Sequence, residues 1–494
     1  MSVTRRWGRS PGRATGRIAV LVIATSVGLT GLVALVGTSV AEAALGRDPD
    51  LPFTLSDALG GQAAPWWVVG TMLTADLLGG VGLLVALRAL RAGWRPDARR
   101  LLGLSGVVVA ALVSLPPVGS ADQLSYAAYG RIAASGANPY TVAPDVWRHG
   151  LDPVAGAVAP PWQSTPSVYG PVATAEQTLA SLIGGSSLAL TVLCLSVLNG
   201  AAFWLTGWLL VRLSGHDPER RARAALLWGL NPLLLGLVVC GAHVDALAVA
   251  WGVAGLFALR RSPLAAGALL GLGVSTKASM VLFLVAAAWP LRHRWRDLLL
   301  LVGAAAATTV AVYLPWGPGA LNELRGAAAR VSTAVPWRPV GHLLTQALGP
   351  VSGSWVLRIV VLAASALVLV AAASLLPRIS APHHGPPWAS AWRCAALLVT
   401  AWVLAGTYVL PWYYAALWAP LATVAASRLD GFAVAATVLM AWAYVPGLVA
   451  IPDAVADPTL DWRTGVAPWL STCLLVAFVG WGLAARRRAT SLPT

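Results

Sequence analysis

Long apolar stretches alternate with short polar connections along almost the whole chain. Many of these stretches are long enough to cross the roughly 30 Å hydrocarbon core of a bilayer as a helix. Several polar connections are strongly basic, such as 88-RALRAGWRPDARR-100 and 486-RRR-488. This pattern predicts an all-α, polytopic integral membrane protein with about 14 transmembrane or half-membrane helices.

The arginine-rich connections also give an orientation, because positively charged loops stay in the cytoplasm. Arginines at 5, 6, 9, 13 and 17 place the N-terminus there. Threading the chain from that end leaves two long loops on the outer side. The predicted organisation is a cytoplasmic N-terminus 1–17, three transmembrane helices in 18–118, an outer loop 119–185, a transmembrane core with short helix hairpins 186–316, an outer basic loop 317–353, C-terminal transmembrane helices 354–485 and a cytoplasmic tail 486–494.

Composition supports a membrane location. Hydrophobic residues make up 57% of the 494 residues and charged residues 11%, against about 25% charged in soluble domains. The net charge of +15 does not indicate a nucleic-acid partner, because the arginines gather where apolar runs end. The four cysteines are isolated within apolar runs, so we expect small core residues rather than disulfides or a metal site.

The first apolar run is followed by Ala-Glu-Ala at 41–43, which resembles a signal-peptidase site. A signal peptide has an apolar core of about 7–15 residues, and this run is about twice as long. The length favours an uncleaved first transmembrane helix in a multi-pass protein of the cytoplasmic membrane.

Two later segments predict pairs of short helices rather than simple spans. Residues 224–259 would form two short helices that meet at 241-GAHVDA-246. Residues 264–291 would form two that meet near Lys277, the single lysine of the chain. A charge within apolar sequence is costly and normally faces a polar cavity or a partner. His243 and Asp245 could join that cavity. Too few ligands accompany them for a metal site. Asp76, in the second apolar run, should pair with a polar group on another helix.

The stretch 121-ADQLSYAAYGRIAASGANPY-140 follows the third predicted transmembrane helix. Asp122 and Tyr126 are four residues apart, so one helical face would present a carboxylate beside a phenol. Two interpretations fit Asp122: a solvated helix cap, or a general base whose pKa the membrane boundary raises.

Aromatic and basic residues mark three further candidate regions, each with two interpretations. Trp162 and Tyr169 in 161-PWQSTPSVYGP-171 fit interfacial anchors or a platform for sugar rings. Arg338 and His342 in the second outer loop fit scattered surface charge or a site for a lipid phosphate. Trp412 and Tyr413 in 408-YVLPWYYAALW-418 fit an aromatic belt or a cavity wall.

Taken together, these segments resemble the GT-C superfamily of integral-membrane glycosyltransferases. The stretches 122-DQLSYAAYGRIAASGANPY-140, 162-WQSTPSVYGP-171, 231-NPLLLGLVVCGAHVDAL-247 and 267-GALLGLGVSTK-277 are similar to polyprenol-phosphomannose-dependent α-1,6-mannosyltransferases of the MptA and MptB types. The resemblance covers roughly residues 100–430. Val244 stands where family patterns often have asparagine, so this chain has no side-chain amide at that position.

The resemblance implies an inverting transfer of mannose from polyprenyl-phosphate-mannose to a mannan or glycolipid acceptor, on the outer face of the cytoplasmic membrane. Asp122 would be the catalytic base, and Arg338, His342 and Lys277 would bind the donor phosphate. It implies no nucleotide, other cofactor or obligatory metal. Residues expected to contact substrate are Tyr126, Tyr140, Trp162, Tyr169, His243, Asp245, Trp412 and Tyr413.

Other functions stay open at this point. A transporter or flippase for a lipid-linked sugar would explain Lys277 and Asp76, but it would not need Asp122 beside a long aromatic loop. A non-enzymatic membrane subunit and a transferase for another sugar or linkage are further alternatives. Membrane lipids are partners under each of them.

Overall fold

A computed structural model describes residues 11–37, 44–45, 51–54, 63–322, 330–377, 387–445 and 453–490. These residues form helices, turns and connections, with no β-strand among them. Part of the predicted cytoplasmic N-terminus, residues 1–10, lies outside the described residues. So does the Ala-Glu-Ala motif at 41–43. The predicted all-α membrane architecture is confirmed for the described part of the chain.

The first eleven helices build the half of the molecule that carries the sequence motifs. Their bounds are α1 Pro11–Val36, α2 Pro65–Arg91, α3 Ala98–Val113, α4 Asp122–Ala134, α5 Pro171–Gly184, α6 Leu188–Leu213, α7 Pro218–Cys240, α8 Asp245–Ala258, α9 Pro263–Val274, α10 Ala278–Leu291 and α11 Trp295–Tyr313.

Seven more helices complete the described fold. They are α12 Trp337–Leu348, α13 Pro350–Leu375, α14 Pro387–Ala405, α15 Ala415–Thr423, α16 Leu429–Tyr444, α17 Asp453–Asp461 and α18 Ala467–Thr490. A 3₁₀ turn, Pro411–Tyr414, leads into α15.

Eight helical segments in the described ranges are long and apolar enough to cross a membrane, and four shorter apolar helices accompany them. The long ones include α1, α2, α6, α7, α11, α13 and α14, and the last runs from Val455 to Arg488 through α17 and α18. The short ones are α8, α9, α10 and α16. The chain is therefore a multi-pass membrane protein.

The short helices α8, α9 and α10 follow the predicted hairpins. The turn 241–244 separates α7 from α8, and Lys277 separates α9 from α10. Helices α8 and α9 pack closely because residue 255 is a glycine. A Cβ on Gly255 would lie 2.5 Å from Leu270 of α9. Both hairpin turns end at the same side of the bundle, because the Lys277 side chain contacts Asp245 at the start of α8.

Two predicted boundaries differ from the structure. The first helix begins at Pro11, inside the segment predicted as a cytoplasmic tail, where Arg13 and Arg17 are exposed on the helix. The second outer loop contains the amphipathic helix α12, whose polar residues hid its apolar face in the sequence. Cys473 is exposed on α18 rather than buried as a core residue.

Candidate active site

A cavity of about 620 Å³ opens at the end of the bundle where α4 begins. Its polar end includes Asp122, Lys277 and Arg330. Its other end is apolar and lies between membrane helices. The apolar lining is contributed mainly by α10, α13 and α14, through Leu282, Val361, Leu369, Leu398 and Ala401. A cavity with a charged end and a long apolar end suits an amphiphilic ligand.

Asp122 is the first residue of α4, and its side chain is 18% exposed. The Asp122 backbone N–H donates to the Oγ of Ser120, which helps to fix the start of the helix. The positive end of the α4 dipole therefore lies beside this carboxylate. The carboxylate faces the cavity, where a bound hydroxyl group could reach it.

Burial raises the pKa of Asp122 to about 6. The positive charge of Lys277 acts in the opposite direction, while the negative charge of Asp245 adds to the increase. A carboxylate with this pKa is mostly ionised at neutral pH, yet it is a stronger base than an ordinary aspartate. The electrostatics therefore suit a general base.

His243 lies behind Asp122, in the turn between α7 and α8. The imidazole is 1% exposed, and its Nδ1 is 3.6 Å from the Asp122 Oδ2 and 3.4 Å from the Tyr126 hydroxyl. The ring stacks on Trp412 with centroids 3.9 Å apart. Burial, followed by the nearby charge of Lys277, holds the pKa of His243 well below its ordinary value, so the imidazole is neutral.

Lys277 lines the polar end of the cavity and is held by two partners. Its Nζ lies 2.7 and 2.8 Å from the two carboxylate oxygens of Asp245. The same Nζ is 3.7 Å from the centre of the Tyr413 ring, a cation–π contact. The predicted shared cavity for Lys277, His243 and Asp245 thus has a structural basis: one residue lines it and the other two support the lining.

Two motifs far apart in the sequence contact each other directly. The backbone N–H of Gly170 donates to the carbonyl of Thr276 at 3.1 Å, and that of Val172 donates to Ser275 at 2.9 Å. A Cβ on Gly170 would overlap the Ser275 carbonyl. The Tyr-Gly-Pro motif at 169–171 therefore positions the turn that carries Lys277.

The predicted substrate residues divide into three groups. Trp162, Tyr169 and Tyr413 line the cavity with Asp122 and Lys277. Tyr126, His243, Asp245 and Trp412 stand behind the lining and contact it; Tyr126, for example, meets Tyr169 edge-to-face at 5.0 Å. Tyr140, Arg338 and His342 are not among the lining residues.

Tyr140 has a clear structural role instead. It is 3% exposed, and its hydroxyl lies 2.7 Å from that of Thr174 on α5. Its backbone N–H donates to the side-chain oxygen of Asn138, whose amide donates to the carbonyl of Trp316. The Asn-Pro-Tyr motif therefore connects the first outer loop to α5 and to the end of α11.

Arg338 and His342 are exposed on α12, and His342 contacts Gln346 one turn away. Arg330 instead lines the cavity, with its guanidinium 5.2 Å from the Trp162 ring. The reason lies in the chain path after Arg330: Ser332 donates its backbone N–H to Thr407 and its hydroxyl to Val409. These bonds hold residues 330–332 against the cavity, and α12 then leads away from it.

Sequence reasoning missed several lining residues, including Tyr129, Trp402 and Tyr408. Trp402 stacks on Tyr413 at 5.3 Å, and the Tyr129 hydroxyl donates to the Thr165 carbonyl. One signal could have found Tyr129, because it lies seven residues after Asp122, two helical turns further along α4. Tyr408 begins the aromatic stretch 408–418 that the sequence already marked as a cavity wall or belt. Trp402 carries no such signal, since its approach depends on how α14 packs.

The fold and cavity define a multi-pass helical membrane protein with a cavity whose lining is charged at one end and apolar at the other. Residues 25–293 match the model of the MptA/B family, described as the alpha-(1→6)-mannopyranosyltransferase N-terminal domain. The chain belongs to this family. No solved structure matches the chain.

Relatives of the chain carry related names. It is 28% identical over 380 residues to alpha-(1→6)-mannopyranosyltransferase A of Mycobacterium tuberculosis, covering 73% of this chain and 70% of the relative. It is 28% identical over 193 residues to alpha-(1→6)-mannopyranosyltransferase A of Corynebacterium glutamicum, covering 39% of each. A probable alpha-(1→6)-mannopyranosyltransferase of Mycolicibacterium smegmatis is 36% identical over 153 residues, which are 30% of this chain and 27% of the relative. The chain thus spans less than half of two of these relatives.

Proposed function

We propose that this protein is an inverting glycosyltransferase that moves mannose from polyprenyl-phosphate-mannose to an α-1,6-mannan acceptor, of the lipomannan or lipoarabinomannan core type. The observation that carries this proposal is the amphiphilic cavity. Its apolar end, between α13 and α14, fits a prenyl chain, and its charged end fits a phosphate-linked sugar. Family membership supports mannose as the sugar and α-1,6 as the linkage.

In the proposed reaction, Asp122 takes the proton of an acceptor hydroxyl while that oxygen attacks the anomeric carbon. The bond from that carbon to the phosphate oxygen breaks, and polyprenyl phosphate leaves with the bonding electron pair. Lys277 and Arg330, both at the polar end, would balance the charge that develops on the phosphate. Arg338 and His342 lose this role in the proposal, because they lie on the exposed side of α12.

Two supporting groups fit the same mechanism. His243 lies 3.6 Å behind the Asp122 carboxylate, and Trp162, beside Arg330, offers an aromatic face to a sugar ring. We propose that the site faces the outside of the cytoplasmic membrane, since the basic connections lie at the other end of the bundle.

The experiment that tests this function is mannose transfer by the purified protein in lipid bilayers. Radiolabelled polyprenyl-phosphate-mannose and a short α-1,6-mannoside serve as donor and acceptor. We expect Asp122→Asn to lower kcat by about 100- to 10,000-fold, the usual contribution of a general base. Asp145→Asn is the matched control, because Asp145 is an exposed acid in the same loop and outside the cavity lining.

Two results would contradict the proposal. Full activity of Asp122→Asn would remove the assigned base. Absence of transfer by folded wild-type protein, together with movement of the donor between bilayer leaflets, would favour a lipid-linked sugar transporter.

A further inference from the structure

Asp76 is an acidic residue in the middle of a membrane-spanning helix. It lies eleven residues into α2, about 16 Å from the first residue at about 1.5 Å per residue. No hydrogen bond or ion pair joins its carboxyl group to another residue in the described ranges, so the expected interhelical pairing is not seen there. Ionisable residues at this depth are costly and usually serve a function.

The Asp76 side chain lines a second, smaller cavity of about 50 Å³. His243 and Trp412 line it too, and they separate it from the larger cavity. Thr30 and Tyr444 also line it. A polar cavity needs about 10–15 Å³ to hold one water molecule, so this one has room for ordered water.

His243 therefore stands between the two cavities. Its Nδ1 points toward Asp122 and Tyr126, while its ring borders the smaller cavity with Asp76. The ring packs closely against Gly241, where a Cβ would lie only 2.9 Å from Nε2. A neutral imidazole has one N–H donor and one acceptor, so a donor that reaches Nε2 places the proton on Nδ1.

We propose that Asp76 is a positioning residue: as a neutral acid, it donates a hydrogen bond through water to His243 Nε2 and so directs the Nδ1–H toward Asp122. This inference rests on the proposed function, in which Asp122 is the base. The neutral form follows from the surroundings, since a carboxylate is expensive without a partner. The other titratable groups lining the smaller cavity, Cys240 and Tyr444, bring no positive charge. Of the nearby cations, Arg463 lies on the Tyr444 ring outside the lining, and Lys277 is engaged by Asp245.

An Nδ1–H directed at the Asp122 carboxylate, whose Oδ2 lies 3.6 Å away, would stabilise the ionised form of Asp122 by electrostatic attraction. Without Asp76, the imidazole could adopt the other tautomer and turn a lone pair toward the carboxylate. The ionised base would then be less favourable, and activity would fall most at low pH.

The test compares Asp76→Asn with Asp76→Leu in the full-length protein. An asparagine amide can still donate to the water, whereas leucine cannot. We expect Asp76→Asn to keep kcat within about threefold of wild type. Asp76→Leu should lower kcat by about 10- to 100-fold with little change in donor KM, and move the acid limb of the pH–rate profile about one unit higher. Met72→Leu, which alters the same cavity from the same helix, is the control.

A readout independent of turnover separates this inference from the proposed function. In ¹⁵N-histidine spectra, the His243 signal (assigned by its loss in His243→Gln) should show the Nδ1–H tautomer in wild type and Asp76→Asn, but not in Asp76→Leu. Unchanged His243 tautomer and kinetics in a folded Asp76→Leu would overturn the inference while leaving the transferase proposal intact. Wild-type protein without transfer activity would instead count against the proposed function, whatever the tautomer.

Discussion

At the scale of single residues, Asp122 provides the most direct test by pH. Burial raises the pKa of its carboxyl group to about 6, and a base must be deprotonated to accept a proton. We therefore expect kcat/KM to rise as pH increases through about 6 and to level off above it. The measurement is the pH–rate profile of mannose transfer in bilayers, with protein integrity checked at each pH. An acid limb near pH 4 would mean that another group, or an unperturbed carboxylate, limits the reaction.

Lys277 is predicted to have both a structural and a functional role. Lys277→Met would leave the Asp245 carboxylate, which is 6% exposed, without its charge partner. Removing one member of a buried ion pair costs about 3–5 kcal/mol, so we expect a large drop in unfolding free energy.

The double variant Lys277→Met with Asp245→Asn separates these roles. Because it leaves no unpaired charge, it should recover most of the stability measured by thermal unfolding in detergent. It should still transfer mannose poorly, because Arg330 alone would then balance the charge of the phosphate. Normal transfer by the double variant would show that Lys277 serves folding alone.

How much of the site could be predicted from sequence depends on the residue. Asp122 and Lys277 stand out because a charge beside or within apolar sequence is expensive, and both line the cavity. Arg338 carries the same charge as Arg330, so charge alone cannot rank them. Only the hydrogen bonds of Ser332 to residues 407–409, one from its backbone N–H and one from its hydroxyl, place Arg330 at the cavity.

At the scale of elements, Gly170 controls how α5 approaches the turn between α9 and α10. Its backbone pairs with Thr276, and a Cβ would overlap the Ser275 carbonyl. We expect Gly170→Ala to displace the turn that carries Lys277, lowering kcat/KM by about tenfold or more, since small misplacements of catalytic groups are costly. Gly303→Ala on α11 is the control, because a Cβ there has open space.

Steady-state kinetics with the same donor and acceptor, alongside thermal unfolding, give the readout. The prediction fails if Gly170→Ala matches Gly303→Ala in both activity and stability. Reduced stability with unchanged kcat/KM would also count against it, because the motif would then support folding without placing Lys277.

A helix could be predicted from the sequence where its apolar run was long enough to indicate it. The hairpins α7–α8 and α9–α10 follow from apolar runs interrupted at His243 and Lys277. Helix α12 was not predicted, since Arg338 and His342 made its segment resemble a polar loop. The dominant force on such a helix is packing of its apolar face, which a charge count does not reveal.

At the scale of the whole molecule, the two ends of the bundle differ in chemistry. One end carries the cavity, the first outer loop and both hairpin turns. The other end gathers basic connections and contains the pair between Arg223 and Asp430, in which the guanidinium donates to both carboxylate oxygens at 3.0 and 2.6 Å. Both side chains are at most 5% exposed, so this pair fixes helix packing rather than binding a ligand.

This difference between the ends predicts the topology, which thiol labelling can check. Leu151, 83% exposed beside the cavity end, and His216, exposed in the basic connection between α6 and α7, are suitable positions for single cysteines. Because basic connections remain in the cytoplasm, Leu151→Cys should react with a membrane-impermeant maleimide in intact cells. His216→Cys should react only after permeabilisation. The parent protein, with its four native cysteines, gives the background. The reverse pattern would place the cavity on the cytoplasmic side and require an acceptor made there, without altering the chemistry assigned to Asp122.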